Sequence, residues 1–323
     1  MKNILTFALL LFALPFCFAQ QPAQYSMYMF NKFAFNPAFA GLDNSISLTG
    51  VYRKQWAGIE GQPVTQNLNV HTPLYVAGGG IGLNLENESL GSWKQTSAQV
   101  AYGYQLQVGK IGVLSAGFGV GVVQRQLDGS KVRTPGTEVD DEGNPIQHND
   151  PLLTVAKESG IAPNVNIGIY YQGEKIEAGI SAINLLENKV TMNTLSFQLD
   201  RTYFFNAGYR FDLGKNITLR PSVLVKSNIS QTQIDFSLIT RYNENIFIGA
   251  SFRGYQSESL DAVALIGGFK LNEKFTLGYS YDLTLSNLKA VSNGSHEIVI
   301  NYNLGKQIGK GRPPKIIYNP RSL

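Results

Sequence analysis

The chain has 323 residues, room for two ordinary domains or for one large barrel. Only 15% of them are charged, against about a quarter in a typical soluble domain, while 33 Gly, 18 Phe and 16 Tyr enrich glycine and aromatics. With 43% hydrophobic residues and a net charge of +4, disorder and an electrostatic nucleic-acid surface are excluded. After residue 19 no apolar run approaches the ~18 residues that a spanning helix needs, so a helical polytopic membrane protein is excluded too.

In chain order, residues 1–19 read as a secretory signal. Lys2 supplies the positive end, Ile4 to Phe18 the apolar core, Pro15 a break, and Cys17-Phe18-Ala19 a small-x-small cleavage site before Gln20. Pro15-Phe16 lacks the small residue expected ahead of a lipidated cysteine. Cleavage removes Cys17, the one cysteine, so the processed chain has no disulfide, thiol nucleophile or thiolate metal site. Loss of Lys2 lowers the net charge from +4 to +3. Residues 20–44 then place Tyr25, Tyr28, Phe30, Phe33, Phe35 and Phe39 ahead of any regular pattern.

From Ser45 onward apolar and polar residues alternate in short runs, the period of a strand whose two faces meet different solvents. The expected strand cores are 45–53, 65–74, 80–86, 95–108, 112–127, 163–172, 175–183, 202–212, 217–227, 232–242, 246–253, 262–271, 275–285 and 296–304. Tight turns at Gly109-Lys110, Gly173-Glu174, Gly214-Lys215, Asn243-Glu244 and Asn272-Glu273 alternate with longer links at 54–64, 87–94, 128–162, 184–201, 254–261 and 286–295. A soluble sandwich shares the two-residue period but has no reason to trim one end and elaborate the other. An outer-membrane barrel does, with short periplasmic turns, long extracellular loops and both termini periplasmic.

Charged residues in these runs, Arg210, Asp212, Arg220, Lys226, Asp235, Arg241 and Arg253, share the face opposite the aromatic one. Lysine or arginine turned to lipid at mid-membrane costs roughly 2–4 kcal/mol, so that face lines a wet or plugged interior. The expected fold is an all-β, transmembrane antiparallel barrel of fourteen strands over 45–304, of outer-membrane type. Its aromatic N-terminal segment, 20–44, folds back inside as a plug turned at Asn36-Pro37. Pro221 is awkward inside a run because it removes a ladder donor. Gly117, Gly119 and Gly121 lack the helix and lysine of a phosphate loop and read as the inner face of a curved wall. Residues 305–323 form a basic tail with Lys306, Lys310, Arg312, Lys315 and Arg321, either solvated or a periplasmic docking strand.

Four phrases exceed generic barrel patterning: Asn36-Pro37-Ala38-Phe39-Ala40-Gly41, Tyr52-Arg53-Lys54-Gln55-Trp56, Gly278-Tyr279-Ser280-Tyr281-Asp282, and Gly294-Ser295-His296-Glu297-Ile298. From Tyr25 to about Tyr302 the chain resembles the PorP/SprF family of type IX secretion system membrane proteins. The resemblance implies an outer-membrane barrel of Bacteroidota-type bacteria that works with the type IX translocon and its periplasmic ring. It implies export or surface attachment of proteins with a C-terminal sorting domain, gliding adhesins among them, and no enzymatic activity. The family-motif positions are Asn36, Pro37, Gly41, Trp56, Tyr281, Ser295 and His296.

Strand parity adds a specific expectation. Arg53 ends the first strand and Glu297 begins the last, and the two strands become neighbours when a barrel closes. Arg53, Gln55, Asp282 and Glu297 all point inward by parity, which predicts a lumenal cluster at the seam, with unrelated solvated charges as the alternative. Trp56 suits an interfacial anchor.

Catalysis has no visible carrier. His71, His148 and His296 are too scattered for a metal motif, and no cofactor is implied. The stretch Asp140-Asp141-Glu142-Gly143-Asn144, continuing to Asp150, offers oxygen ligands for Ca²⁺, but its glycine is off the spacing of a helix-loop-helix calcium site. The loop from Asp128 to Ala162 is long enough to serve a partner. Two function classes remain: a secretion-system binding module, in contact with exported proteins, translocon components and outer-membrane lipid, or a pore for small or hydrophobic solutes.

Overall fold

The computed structural model describes residues 22–109, 112–140, 142–150, 152–228, 230–255 and 260–306. Residues 1–21, with the expected secretory signal, and 307–323, with most of the expected basic tail, lie outside the described residues. Fourteen antiparallel strands form a closed ring: β1 (Ser47–Lys54), β2 (Val64–Leu74), β3 (Gly79–Leu90), β4 (Trp93–Val108), β5 (Gly112–Asp128), β6 (Lys157–Gln172), β7 (Ile176–Ile183), β8 (Thr202–Tyr209, resuming as Phe211–Leu213), β9 (Ile217–Ser227), β10 (Thr232–Tyr242), β11 (Ile246–Tyr255), β12 (Leu260–Lys270), β13 (Phe275–Thr284) and β14 (Ser295–Asn303). β1 pairs with β14 in an unbroken register, Arg53 opposite Glu297 and Ser47 opposite Asn303, so the ring has no free edge.

Alternation in sequence becomes inversion in space. Outward positions are apolar and exposed, such as Leu68, Phe118, Phe236, Ile248 and Leu265, while Asn69, Asp235, Ser237, Asp282 and Glu297 are buried. A soluble core is arranged the other way round. Lipid accounts for the outward set, since it needs no hydrogen bond from the wall.

The link expected at 87–94 is instead a two-residue turn, Gly91-Ser92, with Gly91 at φ +57°. β3 and β4 run past their expected ends to Leu90 and Trp93, and β6 starts at Lys157 rather than 163. At these ends of β3 and β4 the residues Asn87-Glu88-Ser89 and Lys94-Gln95-Thr96 are polar on both faces, so the apolar-polar alternation that marks a strand disappears there. Among the described residues the longer loops at that end are 55–63, 129–156, 184–201 and 285–294. Within 184–201 lies a small hairpin, Lys189–Thr191 with Ser196–Gln198. It lays Val190 and Leu199 on the inward Val123 and Ala162 of β5 and β6.

Pro221 explains a break in the wall. The β8–β9 ladder stops at Gly208 opposite Ser222 and resumes at Phe211 opposite Leu219. Proline has no N–H to give at that rung, while on the other side Arg210 N–H continues the β7–β8 pairing to Lys175 O at 2.8 Å.

Residues 22–46 run through the ring from the long-loop end to the short-turn end. Pro22 O accepts from Lys226 Nζ near the long-loop end of β9 (3.1 Å), whereas Ile46 N donates to Lys306 O at the other end (2.7 Å). Three short 3-10 turns, Tyr28–Phe30, Lys32–Ala34 and Pro37–Phe39, carry the aromatics against different sectors of the wall. Phe30 packs on Phe247 of β11 (4.8 Å between centroids) and Phe35 on Phe204 of β8 (5.6 Å). Phe39 meets Tyr170 of β6 edge-on at 5.1 Å.

Candidate functional site

The most heavily charged part of the interior lies at the seam, toward the long-loop end. Inward parity and register set two directly opposed pairs, Arg53 with Glu297 across β1–β14, and Asp235 with Arg253 across β10–β11. Asp282, inward on β13, joins them. Its Oδ2 lies 2.7 Å from Arg53 Nη2 and 3.3 Å from Arg253 Nη1. Arg53 Nη1 reaches Glu297 Oε2 at 3.1 Å, and Arg253 Nε reaches Asp235 Oδ1 at 2.7 Å. All five side chains are at least nine-tenths buried. Buried charges are tolerated only when paired and hydrogen-bonded, and here each has at least one partner of opposite sign.

The centre of this network belongs to the N-terminal segment. Ser26 Oγ accepts from Arg53 Nη1 at 2.9 Å and from Arg253 Nη2 at 3.0 Å, and donates to the Asp282 carboxylate at 2.7 Å. The backbone N–H groups of Ser26 and Met27 donate to the two oxygens of Glu297, at 2.7 and 2.9 Å. Gln55 does not touch the ion pairs. It extends them: Gln55 Nε2 donates to Gln24 Oε1, Gln24 Nε2 to Gln233 Oε1, and Gln233 Nε2 to Asp235 Oδ2. Tyr25 adds a short hydrogen bond to Glu86 of β3 on the opposite side of the segment. The cluster therefore joins the seam strands to the segment inside them. Ser26, Asp235 and Arg253 are the members that seam parity by itself misses. For the last two a signal existed, since residues 235 and 253 are equidistant from the tight turn at Glu244.

At the short-turn end the segment lies in a groove made of missing side chains. Gly80, Gly103, Gly117 and Gly168 stand directly opposite one another on β3, β4, β5 and β6. A Cβ on Gly80 would overlap Ala40, one on Gly117 would overlap Ala38, and one on Gly168 would overlap the Asn36 side chain. Asn36 caps the turn Pro37–Phe39 by accepting from Ala38 N at 3.0 Å, and its Nδ2 donates to the carbonyls of Ile169 and Ile180, each at 3.2 Å. Gly41, at φ +75°, passes within a Cβ radius of Thr72 O and Gly80 Cα. Gly117 thus owes its identity to this contact rather than to curvature, whereas Gly119 and Gly121 face Gln99 and the backbone of Ala98.

The remaining motif positions gather at the outer rim of the seam. Trp56, at φ +53°, donates its N–H to Ser295 Oγ at 3.0 Å, and Ala57 exchanges backbone hydrogen bonds with Gly294 and Asn293. This continues the β1–β14 pairing above the strands. Tyr281 donates its hydroxyl to Asn293 O (3.1 Å), and His296, on the outward face, is bonded through Nδ1 to Tyr279 Oη at 2.7 Å.

In the loop 129–156, Asp140 accepts from the N–H groups of Asn144 and Glu142 at 2.7 and 3.0 Å. The donated N–H of Asn144 holds this exposed carboxyl below its ordinary pKa, and Glu142 to Asn144 turn back on it; Asp141 lies outside the described residues.

The family described as type IX secretion system membrane protein PorP/SprF matches residues 17–302. No curated protein matches the sequence. Similar solved structures include the KdgM porin (8% identity, TM-score 0.37, 80% of this chain and 98% of that one). They also include the Acinetobacter baumannii outer membrane protein Omp33 (6%, 0.46, 80% and 98%) and the P. putida toluene transporter TodX (10%, 0.44, 83% and 92%).

Proposed function

Because this chain belongs to the PorP/SprF family of type IX secretion system membrane proteins, we propose that the barrel acts as a binding module at the outer membrane and not as a conduit. Its ligands are exported proteins with a C-terminal sorting domain, such as gliding adhesins, which it helps to export or to anchor at the cell surface. Components of the translocon and its periplasmic ring are the other partners.

One observation supports this reading above the others. Residues 22–46 traverse the interior and are tied at both ends, to the buried ion network by Ser26 and to the glycine groove by Asn36 and Ala38. A chain so fixed leaves little path for a translocating polypeptide or a solute. Cargo is then met by the long-loop surface, where 129–156 and 184–201 project.

The test is deletion of the gene with two readouts. Loss of surface adhesins with unchanged small-solute uptake supports the binding module. Impaired uptake with normal adhesin display overturns it in favour of a pore. Co-purification of the full-length barrel with a C-terminal sorting domain, lost when the 129–156 loop is replaced by a short turn, assigns the surface.

A further inference from the structure

The outward face of the seam departs from the rest of the lipid-facing wall. Along β13, β14, β1 and β2 the outward residues are almost all apolar or aromatic: Leu277, Leu283, Ile298, Ile300, Leu48 and Leu68 among them. Apart from Gln66 of β2, one row breaks the pattern. Register places Lys54 of β1 opposite His296 of β14, and His296 opposite Tyr281 of β13. The row beneath places Tyr52 opposite Ile298, and Ile298 opposite Tyr279. Strands lie about 4.8 Å apart, so Lys54, His296 and Tyr281 span roughly 10 Å near the long-loop end of the β13–β14–β1 ladder. That is the depth of the headgroups in a barrel whose long loops face outward.

We propose that this row is a binding site for the phosphate-bearing headgroup of an outer-leaflet glycolipid. Charge complementarity selects that occupant. The outward positions of these four strands carry the Lys54 ammonium and no carboxylate. The Lys54 side chain has no hydrogen bond or ion pair among the described residues, whereas its neighbour Arg53 on the inward face is paired with Asp282 and Glu297. In the tautomer whose Nδ1 accepts from Tyr279, the ring proton sits on Nε2, which has no partner among the described residues and can donate to a phosphate oxygen. The Tyr281 hydroxyl is committed to Asn293, and its ring lies 5.2 Å from the imidazole, which holds the histidine at the rim instead of against the wall. Tyr52, 45% exposed just below, meets the first acyl segments as an interfacial aromatic.

The experiment uses the full processed chain in detergent, with diphosphoryl lipid A as probe and native mass spectrometry counting bound lipid. Wild type retains one lipid A. Lys54→Gln and His296→Gln each reduce that adduct several-fold, and the pair together about ten-fold or more. Dephosphorylated lipid A binds weakly to all forms, and millimolar inorganic phosphate competes. Heat-modifiable gel mobility verifies that each variant is a folded barrel, and Lys94→Gln, an exposed lysine at the same end of β4, serves as control. Equal adducts on wild type and the double variant overturn the proposal, as does an equal loss in Lys94→Gln. So does photo-cross-linking from position 54 in cells that captures a protein rather than a glycolipid.

Discussion

Arg53 and Arg253, on strands β1 and β11, aim their guanidinium groups at one hydroxyl, Ser26 Oγ, from 2.9 and 3.0 Å. Neither residue is near the other in sequence, and neither strand is hydrogen-bonded to the other. What joins them is a segment that is not part of the wall.

Removing the hydroxyl tests that junction with little loss of volume. Ser26→Ala leaves the two arginines and Asp282 one partner short, which costs about 1–3 kcal/mol. The loss falls on the segment, so amide exchange at residues 22–30 accelerates while the strands stay protected. Unchanged exchange there would show that the network is held by the wall alone.

The ion pairs predict an asymmetry between single and double substitutions. Arg53→Met leaves Glu297 as a buried carboxylate with no cationic partner and Asp282 with Arg253 alone, and lowers folding stability in lipid vesicles by about 3–5 kcal/mol. Adding Glu297→Gln removes one uncompensated charge and recovers part of the loss. A double variant as unstable as the sum of its singles would mean that the two residues act independently.

The glycine row predicts a gain of conductance. In Gly117→Val the new side chain occupies the place of Ala38 while the strand ladders of β5 remain available. The segment is expelled from its groove, and a reconstituted barrel that passes little current becomes an open channel whose residues 22–46 are cut by protease. Silent bilayers and a protected segment from a folded Gly117→Val barrel would refute the packing argument.

Asp140 sets a pH dependence outside the membrane. Its folded pKa is depressed by the Asn144 N–H, so its contribution to the turn is complete above the unfolded value of about 3.9 and is lost as pH falls through the lower folded value. Amide protection at Asn144 should therefore be flat from pH 7 to about 5 and collapse only in strong acid. In Asp140→Ala it should be absent at every pH. Protection that fades near neutrality would assign the turn to another group.

Legibility followed the range of each interaction. The tight turns after β6 and β10 were readable because a few local residues set them, whereas the false link at 87–94 arose where both faces of β3 and β4 become polar and alternation stops. Arg53, Asp282 and Glu297 could be brought to one side by parity because closure leaves the first and last strands no other neighbours. Ser26 could not, since nothing in Gln24-Tyr25-Ser26-Met27 marks a serine that two arginines share. The glycines of 112–127 were visible, but their reason was not, because it lies in Asn36 to Gly41, whose docking depends on the register of four strands.

By itself the sequence determined the barrel, its strand number and which face of each strand meets lipid, because a two-residue period in a membrane admits one inversion of polarity and one way to satisfy every edge. Only the tertiary structure decided what fills the interior and what the buried charges hold. Those contacts join residues from tens to more than two hundred positions apart across a closed ring, and their geometry exists only once that ring has formed.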